Sequence, residues 1–269
     1  MDAKAMSGTE SGREPAGGPD GQAAGQAAGP RHPALAAAVE TIRAQGHAFV
    51  EPAALREAAA GRLEGEAWAA FARSWDDLRP DTYMADGGRY RLRRHAAFHA
   101  APGGEVGRLP DRPHYQTLHH NPLNGGLERW FEPVTEEVAG GEALRALLGT
   151  ARAVFDHLSP GAEWLIEMHQ FRIEARGEAQ GKPTPEGMHR DGVDYVLVTL
   201  IGRHNVQGGV TGIRVDGRAG EESFTLEQPL DSVLLDDHRV WHGVTPVLPL
   251  DPAQPGHRDV LVLTFRREG

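Results

Sequence analysis

The chain has 269 residues, 39% of them hydrophobic and 25% charged, which is ordinary for a globular protein with a real core. It contains no cysteine, which excludes disulfides, thiolate metal sites and cysteine nucleophiles. The net charge of -10 disfavours nucleic acid as a partner. No apolar run approaches the roughly 18 residues of a membrane span and the N-terminus has no signal-like segment, so we expect a cytoplasmic protein.

The first part of the chain predicts a disordered tail followed by helices. Residues 1–33 are rich in Gly, Ala, Pro, Ser and Gln, without Leu, Ile, Val or aromatic residues, and predict disorder. Residues 34–78 have helical periodicity, interrupted by a short strand at His47–Val50. Trp68, Phe71 and Trp75 recur at helical spacing, which indicates core packing.

The middle of the chain predicts a strand, a loop and a helix. Residues Arg89–Ala100 alternate weakly, as in a strand, and residues 103–126 are rich in Gly, Pro, His and Asn, as in a loop. An amphipathic helix is predicted over Glu142–Leu158. We expect the four arginines at 89, 91, 93 and 94 to form a solvated strand face or a small-anion site.

After Gly161 short strands dominate. They are predicted at Trp164–Glu174, Tyr195–Ile201, Val210–Val215, Ser223–Glu227, Ser232–Leu235, Val240–Val244 and Val260–Phe265. Short strands separated by Gly, Pro and Asp turns are typical of β sandwiches and barrels. We therefore expect a mainly β fold with flanking helices. A single catalytic domain (34–269) would pack its helical portion (34–160) outside a cupin-like jelly roll, the double-stranded β-helix (161–269).

Three residues form a candidate metal site. His189 and Asp191 lie two apart in a segment predicted to be extended, so their side chains point to the same side. His242 follows 53 residues later (242 − 189), in a predicted strand. A His-x-Asp pair with a distant His is the sequence form of the facial triad, which binds non-haem iron(II) and leaves positions open. The alternative is a surface turn at His189 and Asp191, with His242 a buried histidine without metal.

An oxo-acid co-substrate needs a cation for its far carboxylate, and a planar guanidinium suits that role. Arg258 opens the last predicted strand, which we expect to pair antiparallel with the His242 strand. By alternation, Thr264 and Arg266 face the same side as Arg258. Arg258 is the predicted anchor for 2-oxoglutarate, with Arg266 as its rival and Thr264 as a further contact.

Three segments together resemble a known family. They are PTPEGMHRDGVDY at Pro183–Tyr195, NVQGG at Asn205–Gly209 and RDVLVL at Arg258–Leu263. From about residue 41 to residue 266 the chain resembles the bacterial 2-oxoglutarate/Fe(II)-dependent dioxygenases that include L-isoleucine dioxygenase and related free-amino-acid hydroxylases.

The resemblance implies a double-stranded β-helix with Fe(II) as cofactor and with 2-oxoglutarate and O₂ as co-substrates. It implies hydroxylation of the side chain of a free L-amino acid, with succinate and CO₂ as co-products. It also implies that His189, Asp191 and His242 are the metal ligands. Related halogenases leave the position of the carboxylate free for halide, and Asp191 fills it here, which favours hydroxylation.

A zwitterionic amino acid needs a cation for its carboxylate and an acceptor for its ammonium group. Arg172, one strand before the metal motif, and Asp194 are the candidates, although each can equally have a structural role. The acidic net charge slightly favours a polar or basic amino acid over an aliphatic one. We expect this small molecule as the partner, and neither nucleic acid nor a membrane.

Two other classes of protein remain open. A cupin-like metal-dependent isomerase or hydrolase would use the metal without 2-oxoglutarate. A non-catalytic jelly-roll binding module would need no cation such as Arg258 facing the metal cavity.

Overall fold

The computed structural model describes residues 32–121, 123 and 125–268. The predicted disorder at 1–33 lies outside these residues except for His32 and Pro33, and Pro33 begins the first helix. The helices are α1 (Pro33–Gln45), α2 (Pro52–Ala58), α3 (Gly65–Arg73), α4 (Glu136–Ala139) and α5 (Glu142–Leu158), with a 3₁₀ turn at Ser74–Asp77. None of the helices in these residues is both long and apolar enough to cross a bilayer.

The strands follow the predicted pattern and add several short ones. They are β1 (His47–Val50), β2 (Arg79–Pro80), β3 (Arg91–Ala100), β4 (Val106–Arg108), β5 (Trp164–Ala175), β6 (Tyr195–His204), β7 (Val206–Gly208), β8 (Val210–Val215), β9 (Glu222–Thr225), β10 (Ser232–Asp236), β11 (Val240–Val244), β12 (Val247–Pro249) and β13 (Gly256–Arg267). The loop predicted at 103–126 contains β4, and its remaining described residues form no helix or longer strand.

The strands form two facing sheets, as in a double-stranded β-helix. The major sheet has the order β1-β10-β6-β13-β5-β3-β2, with β4 beside β3, and all of its pairs are antiparallel. The minor sheet has the order β11-β8-β9, and β12 pairs with β7. The fold class expected from the sequence, mainly β with flanking helices, is confirmed.

The helices cover the outer face of the major sheet. Helix α5 buries one stripe of apolar side chains, from Leu144 to Phe155, in a core shared with α1, β5, β10 and β13. Each fully buried Leu, Val or Phe contributes roughly 1.5–3 kcal/mol relative to an exposed one. Trp75 belongs to this core and packs against Phe71 with 5.2 Å between ring centroids, as the helical spacing predicts. The inner face of the sheet is left to line a cavity.

Strand β13 does not pair with the His242 strand, and that expectation is wrong. β13 lies between β5 and β6 in the major sheet, whereas His242 pairs with Ile213 of β8 in the minor sheet. The chain between them forms β12, which pairs with β7 instead of turning back as a hairpin. Arg258 and His242 therefore lie on opposite sheets. The expected alternation along β13 is nevertheless observed, because Arg258, Val260, Val262, Thr264 and Arg266 all line the cavity.

The arginine cluster on β3 is buried, so the expectation of a solvated face is wrong for three of its four members. Arg91 pairs with Asp81 at 2.7 Å, and Arg94 pairs with Asp77 at 2.7 Å. Arg93 lies 3.8 Å from Asp81 and, like Arg91, lines the cavity. The acids that neutralise these arginines lie in the segment before β3, where no local pattern marked them as partners.

Candidate metal centre

Two histidines and one aspartate come together on the cavity wall, and we refer to His189, Asp191 and His242 as the metal centre. Nε2 of His189 lies 3.7 Å from Oδ1 of Asp191, and Nε2 of His242 lies 3.5 Å from its Oδ2. The two imidazole rings are 4.5 Å apart between centroids. One ligand atom from each residue lies within 4.8 Å of the others, close enough for a single ion.

Backbone pairing places the two histidines opposite each other. His189 precedes β6 and forms an isolated antiparallel bridge with His242 of β11. The N–H of each histidine donates to the carbonyl of the other, at 2.9 and 3.0 Å. Directly opposed residues of an antiparallel pair project to the same face, so the bridge brings the rings together. Nδ1 of His189 lies 3.1 Å from the carbonyl of Gly187 and donates to it in the tautomer that leaves Nε2 free for a metal.

Asp237 fixes the turn that carries Asp191. Its carboxylate accepts hydrogen bonds from the backbone N–H groups of Asp191, Gly192 and Val193, at 3.0, 2.7 and 3.1 Å. Asp237 is only 1% exposed, and burial together with the charge of Asp191 raises its pKa to about 6. Sequence reasoning missed this role of Asp237. A carboxylate that binds backbone 46 residues away (237 − 191) leaves no local signal.

The electrostatics of the metal centre favour a cation between the three side chains. Burial lowers the pKa of His242 to about 4, and the neighbouring His189 adds to the effect. Burial also acts to lower the pKa of His189, but the hydrogen bond and charge of Asp191 outweigh it and raise that pKa to about 9. Burial acts to raise the pKa of Asp191, but the two histidines lower it well below its usual range.

The donor set fits iron(II). Two imidazole nitrogens and one carboxylate oxygen are the ligands of the facial triad, and they leave coordination positions for other molecules. The cluster already stabilises a positive charge on His189, and a divalent ion would take its place as the proton leaves.

Arg258 points into the same cavity from the major sheet. It is 2% exposed, and among the described residues neither its Nε nor its Nη2 has a hydrogen-bond partner. Burial lowers the pKa of Arg258 to about 10, and the nearby Arg203 contributes. A buried guanidinium with free N–H groups is costly unless an anion binds to it. Arg258 therefore marks an anion site.

Two glycines of the Asn205–Gly209 motif allow close packing, Gly209 against Arg258 and Gly208 against Pro246. Gly209 has a φ of +70°, and a Cβ there would lie 3.2 Å from Cδ of Arg258. Gly208 has a φ of +76°, and a Cβ there would lie 2.3 Å from the carbonyl oxygen of Pro246. A side chain at Gly208 would therefore clash, and one at Gly209 would crowd Arg258.

The other two candidates on β13 lie further along the strand than Arg258. Thr264 is buried and lines the cavity, but six residues (264 − 258) of extended strand, roughly 20 Å, separate it from Arg258. Arg266 also borders the cavity, but its side chain is exposed at the end of the strand. An exposed guanidinium is solvated and needs no ligand, so burial distinguishes Arg258 from Arg266.

The structure does not bring Arg172 and Asp194 into the cavity. Arg172 lies on the other face of β5 and pairs with Asp259 at 2.7 Å and with Asp76 at 2.9 Å. Asp194 accepts hydrogen bonds from the backbone N–H and the Nε of Arg267, both at 2.7 Å. Both side chains form ion pairs outside the cavity, so neither is placed to contact a substrate there.

A second cluster, which sequence reasoning missed, lies on the major sheet; we call it the histidine–glutamate network (His95, His114, Glu167 and His169). Nε2 of His95 and Nδ1 of His114 lie 3.0 and 3.1 Å from the same oxygen, Oε1 of Glu167. Arg93 donates from Nη2 to Nδ1 of His169 at 2.8 Å. Because a guanidinium can only donate, this bond occupies the lone pair of Nδ1. The network is thus largely satisfied by its own members and Arg93.

Two further cavity residues were missed by sequence reasoning, Gln116 in the loop predicted at 103–126 and Arg129 just after it. Nε2 of Gln116 donates to the carbonyl and Oδ1 of Asp191, at 3.3 and 3.4 Å. Its Oε1 accepts a hydrogen bond from Nη2 of Arg129 at 2.8 Å. Arg129 is 2% exposed, and its Nε has no hydrogen-bond partner among the described residues. The only sequence signal was the unusual density of polar residues in this loop.

One cavity of about 310 Å³ between the sheets is lined by the metal centre, by Gln116, Arg129 and Arg258, and by the histidine–glutamate network except His95. That volume suits small molecules and lies at the lower end of the usual range for such sites.

Most of the chain matches one protein-family model. Residues 72–264 match the family model described as 2OG-Fe dioxygenase, a range that contains the metal centre and Arg258. The chain belongs to the 2OG-Fe dioxygenase family.

Two relatives of this dioxygenase are named for reactions on isoleucine or a hydroxyisoleucine. The chain is 27% identical over 199 residues to the 3(1)-hydroxy-L-isoleucine 4-dioxygenase of Pantoea ananatis, covering 72% of this chain and 79% of the relative. It is 24% identical over 156 residues to the L-isoleucine-4-hydroxylase of Bacillus thuringiensis, covering 56% of this chain and 64% of the relative.

Solved structures agree with the fold of this dioxygenase. The bsmA homolog from Methylobium petroleophilum PM1 is 44% identical, with a TM-score of 0.79, over 86% of this chain and 92% of the homolog. The structure of IDO from Bacillus thuringiensis superposes with a TM-score of 0.68 over 87% of this chain and 96% of that one. At 17% identity, it supports the fold alone.

As a 2OG-Fe dioxygenase, the chain is an oxidoreductase, and its family uses iron(II), 2-oxoglutarate and O₂. The family, fold class and cofactors expected from the sequence are therefore confirmed. The cupin-like isomerase or hydrolase and the non-catalytic binding module find no support.

Proposed function

We propose that this 2OG-Fe dioxygenase hydroxylates the side chain of a free L-amino acid and releases succinate and CO₂. In this proposal His189, Asp191 and His242 hold the iron, and Arg258 anchors the far carboxylate of 2-oxoglutarate. The observation that carries it is the convergence of three ligand atoms in one small cavity with a buried guanidinium whose Nε and Nη2 have no hydrogen-bond partner among the described residues. The relatives named for isoleucine support the substrate class.

The chain's own residues bind, orient and exclude water, while bound iron(II) supplies the redox chemistry. Three protein ligands leave positions for the co-substrates. Arg258 would orient the oxo-acid from the opposite sheet. The apolar side chains of Val198, Val260 and Val262 line the space between and limit the entry of water.

The charges of the cavity do not favour a basic side chain. Five arginines line it (Arg91, Arg93, Arg129, Arg258 and Arg266), against three acids (Glu167, Glu186 and Asp191), although the whole-chain charge is negative. A basic side chain would meet an excess of positive charge. The net charge of the chain therefore gives no reason to prefer a basic substrate, and the names of the two relatives favour an aliphatic amino acid.

Product analysis tests this proposal. The iron(II)-loaded protein is incubated with 2-oxoglutarate, ascorbate and each standard L-amino acid, plus citrulline and ornithine, and products are examined by mass spectrometry. We expect succinate together with a gain of one oxygen on an aliphatic amino acid. Succinate formation with no oxidised amino acid, alongside turnover of a peptide or nucleoside, would overturn the substrate class.

A further inference from the structure

We propose that Arg129 and Glu186 recognise the two charged groups of the amino-acid substrate, with Arg129 binding the carboxylate and Glu186 binding the ammonium group. This inference rests on the proposed function and names the substrate-binding residues that Arg172 and Asp194 do not supply.

Arg129 is a buried cation without an acid. It is 2% exposed, lines the cavity and forms no ion pair within the described part of the chain. One of its N–H groups donates to Gln116, and its Nε is free. Arg91 and Arg93, the neighbouring arginines of the cavity, share Asp81. Arg129 and Arg258 are thus two buried guanidiniums without acids, which matches the two carboxylates that must be held, one on 2-oxoglutarate and one on the amino acid.

Glu186 is a buried anion beside the metal centre. Its side chain is 8% exposed, and its Oε2 has no hydrogen-bond partner among the described residues. Its Oε1 lies 3.7 Å from Nε2 of His189. The metal centre already has its carboxylate in Asp191, and a fourth protein ligand would remove a position that the co-substrates need. The free oxygen of Glu186 is instead suited to accept from an ammonium group.

The placement of the two residues fits a zwitterion. Arg129 and Glu186 line the same cavity, yet they form no ion pair with each other within 4.0 Å, so each keeps its charge for a ligand. Gln116 connects Arg129 to Asp191, because it accepts a hydrogen bond from Arg129 and donates to the carbonyl and Oδ1 of Asp191. The charged end of an amino acid bound here would lie next to the metal centre, with its side chain free to reach the reacting position.

The test compares free amino acids with derivatives that lack one charge. The probes are the standard L-amino acids and, for each acid that the wild type oxidises, its methyl ester and its N-acetyl form. We expect the wild type to prefer the free acid strongly. Arg129→Ala should raise KM for the free acid about 10- to 100-fold and reduce the discrimination against the methyl ester. Glu186→Gln should raise KM similarly and reduce the discrimination against the N-acetyl form.

Three controls separate recognition from damage. Arg129→Lys keeps the charge and should recover part of the affinity, while the exposed Arg176→Ala and Glu178→Gln should behave as the wild type. Iron content and the KM for 2-oxoglutarate should stay within about twofold in every variant. Calorimetric titration of the free acid into metal-free protein should give the same order of affinities without turnover.

Each result decides the inference. A wild type that oxidises a free amino acid, with unchanged KM and Kd in Arg129→Ala and Glu186→Gln, overturns the inference and leaves the proposed function standing. Loss of iron in Glu186→Gln would assign Glu186 to the metal centre and overturn its recognition role. A wild type that oxidises no amino acid overturns both proposals.

Discussion

The cavity holds two clusters of histidine and carboxylate side chains, and their neighbours set them apart. Two further acids lie beside the metal centre. Glu186 lies 3.7 Å from His189, and Asp237 accepts a hydrogen bond from the backbone of Asp191. The histidine–glutamate network instead has the guanidinium of Arg93 in contact with His169. Both clusters have the residue types and spacing of a metal site. The charge of the neighbouring residues, more than the types of the ligand residues, therefore separates a metal site from a structural network.

The pKa shifts follow the same division. Asp191 and Glu186 raise the pKa of His189 to about 9 against the effect of burial, so a positive charge is favoured there. Burial lowers the pKa of His169, and Arg93 adds to the effect, so a positive charge is disfavoured in the network. Burial acts to raise the pKa of Glu167, but the hydrogen bonds from His114 and His95 have the larger effect and lower that pKa below its usual range. Neutral imidazoles that donate to one carboxylate need no metal.

The largest expected effect concerns the metal centre. Asp191→Ala, His189→Ala and His242→Ala should each bring turnover below detection, because each removes one of three ligands. Iron content by mass spectrometry should fall with activity, while circular dichroism should show an intact fold. A variant that keeps its iron and substantial activity removes that residue from the metal centre.

The next largest effect is expected at Arg258, on the cavity wall opposite the metal centre. Arg258→Ala should raise the KM for 2-oxoglutarate by roughly 30-fold or more, since the far carboxylate would lose its buried partner. Iron content should be nearly unchanged, and Arg266→Ala should stay within about threefold of the wild type because that side chain is exposed. If the two variants exchange phenotypes, Arg266 is the anchor.

A smaller effect is expected at Asp237. Asp237→Asn should lower iron affinity by about 10- to 100-fold, because the turn that carries Asp191 loses its charged acceptor. Iron titration in the presence of a competing chelator measures this change. Asp251→Asn, at an exposed position, serves as the matched control. Equal affinities in the two variants would show that backbone support at Asp191 is dispensable.

The smallest effect on the metal is expected in the histidine–glutamate network. Glu167→Gln should leave iron content unchanged and lower the free energy of unfolding by about 1–3 kcal/mol, since buried charged hydrogen bonds are lost. Urea denaturation followed by fluorescence measures that loss. A second equivalent of metal in the wild type that disappears in Glu167→Gln would contradict the comparison between the two clusters.

Periodicity made much of the fold predictable. Helix α5 and strands β1, β8 and β11 have the predicted bounds, because their apolar spacing is set locally. Strands β6 and β13 extend beyond the predicted ranges, since pairing continues through polar residues such as His204 and His257. The metal centre was predictable because two of its three residues, His189 and Asp191, lie two apart in a segment predicted to be extended.

Long-range partners were not predictable from one sequence. The place of β13 in the sheet depends on β5 and β6, not on its neighbour in the chain. Burial of Arg91 depends on Asp81, which pairs with it across the β2–β3 turn region. No pattern marked Arg129, and only the folded cavity shows that it is a buried cation with no ion-pair partner among the described residues. Ion pairs between residues on different segments follow no repeating sequence pattern, so one sequence does not predict them.

The bridge between His189 and His242 has a consequence for how the site assembles. The two residues are separated by the whole of β6 to β10, so the site is complete only after that part of the chain has folded, and a partly synthesised chain ending before β11 has no third ligand. An ion bound by both rings would cross-link the two segments. The amide hydrogens of His189 and His242 lie at this cross-link, where each donates to the carbonyl of the other residue. Their exchange with solvent deuterium is therefore a natural reporter of metal occupancy, slowing when the site is filled.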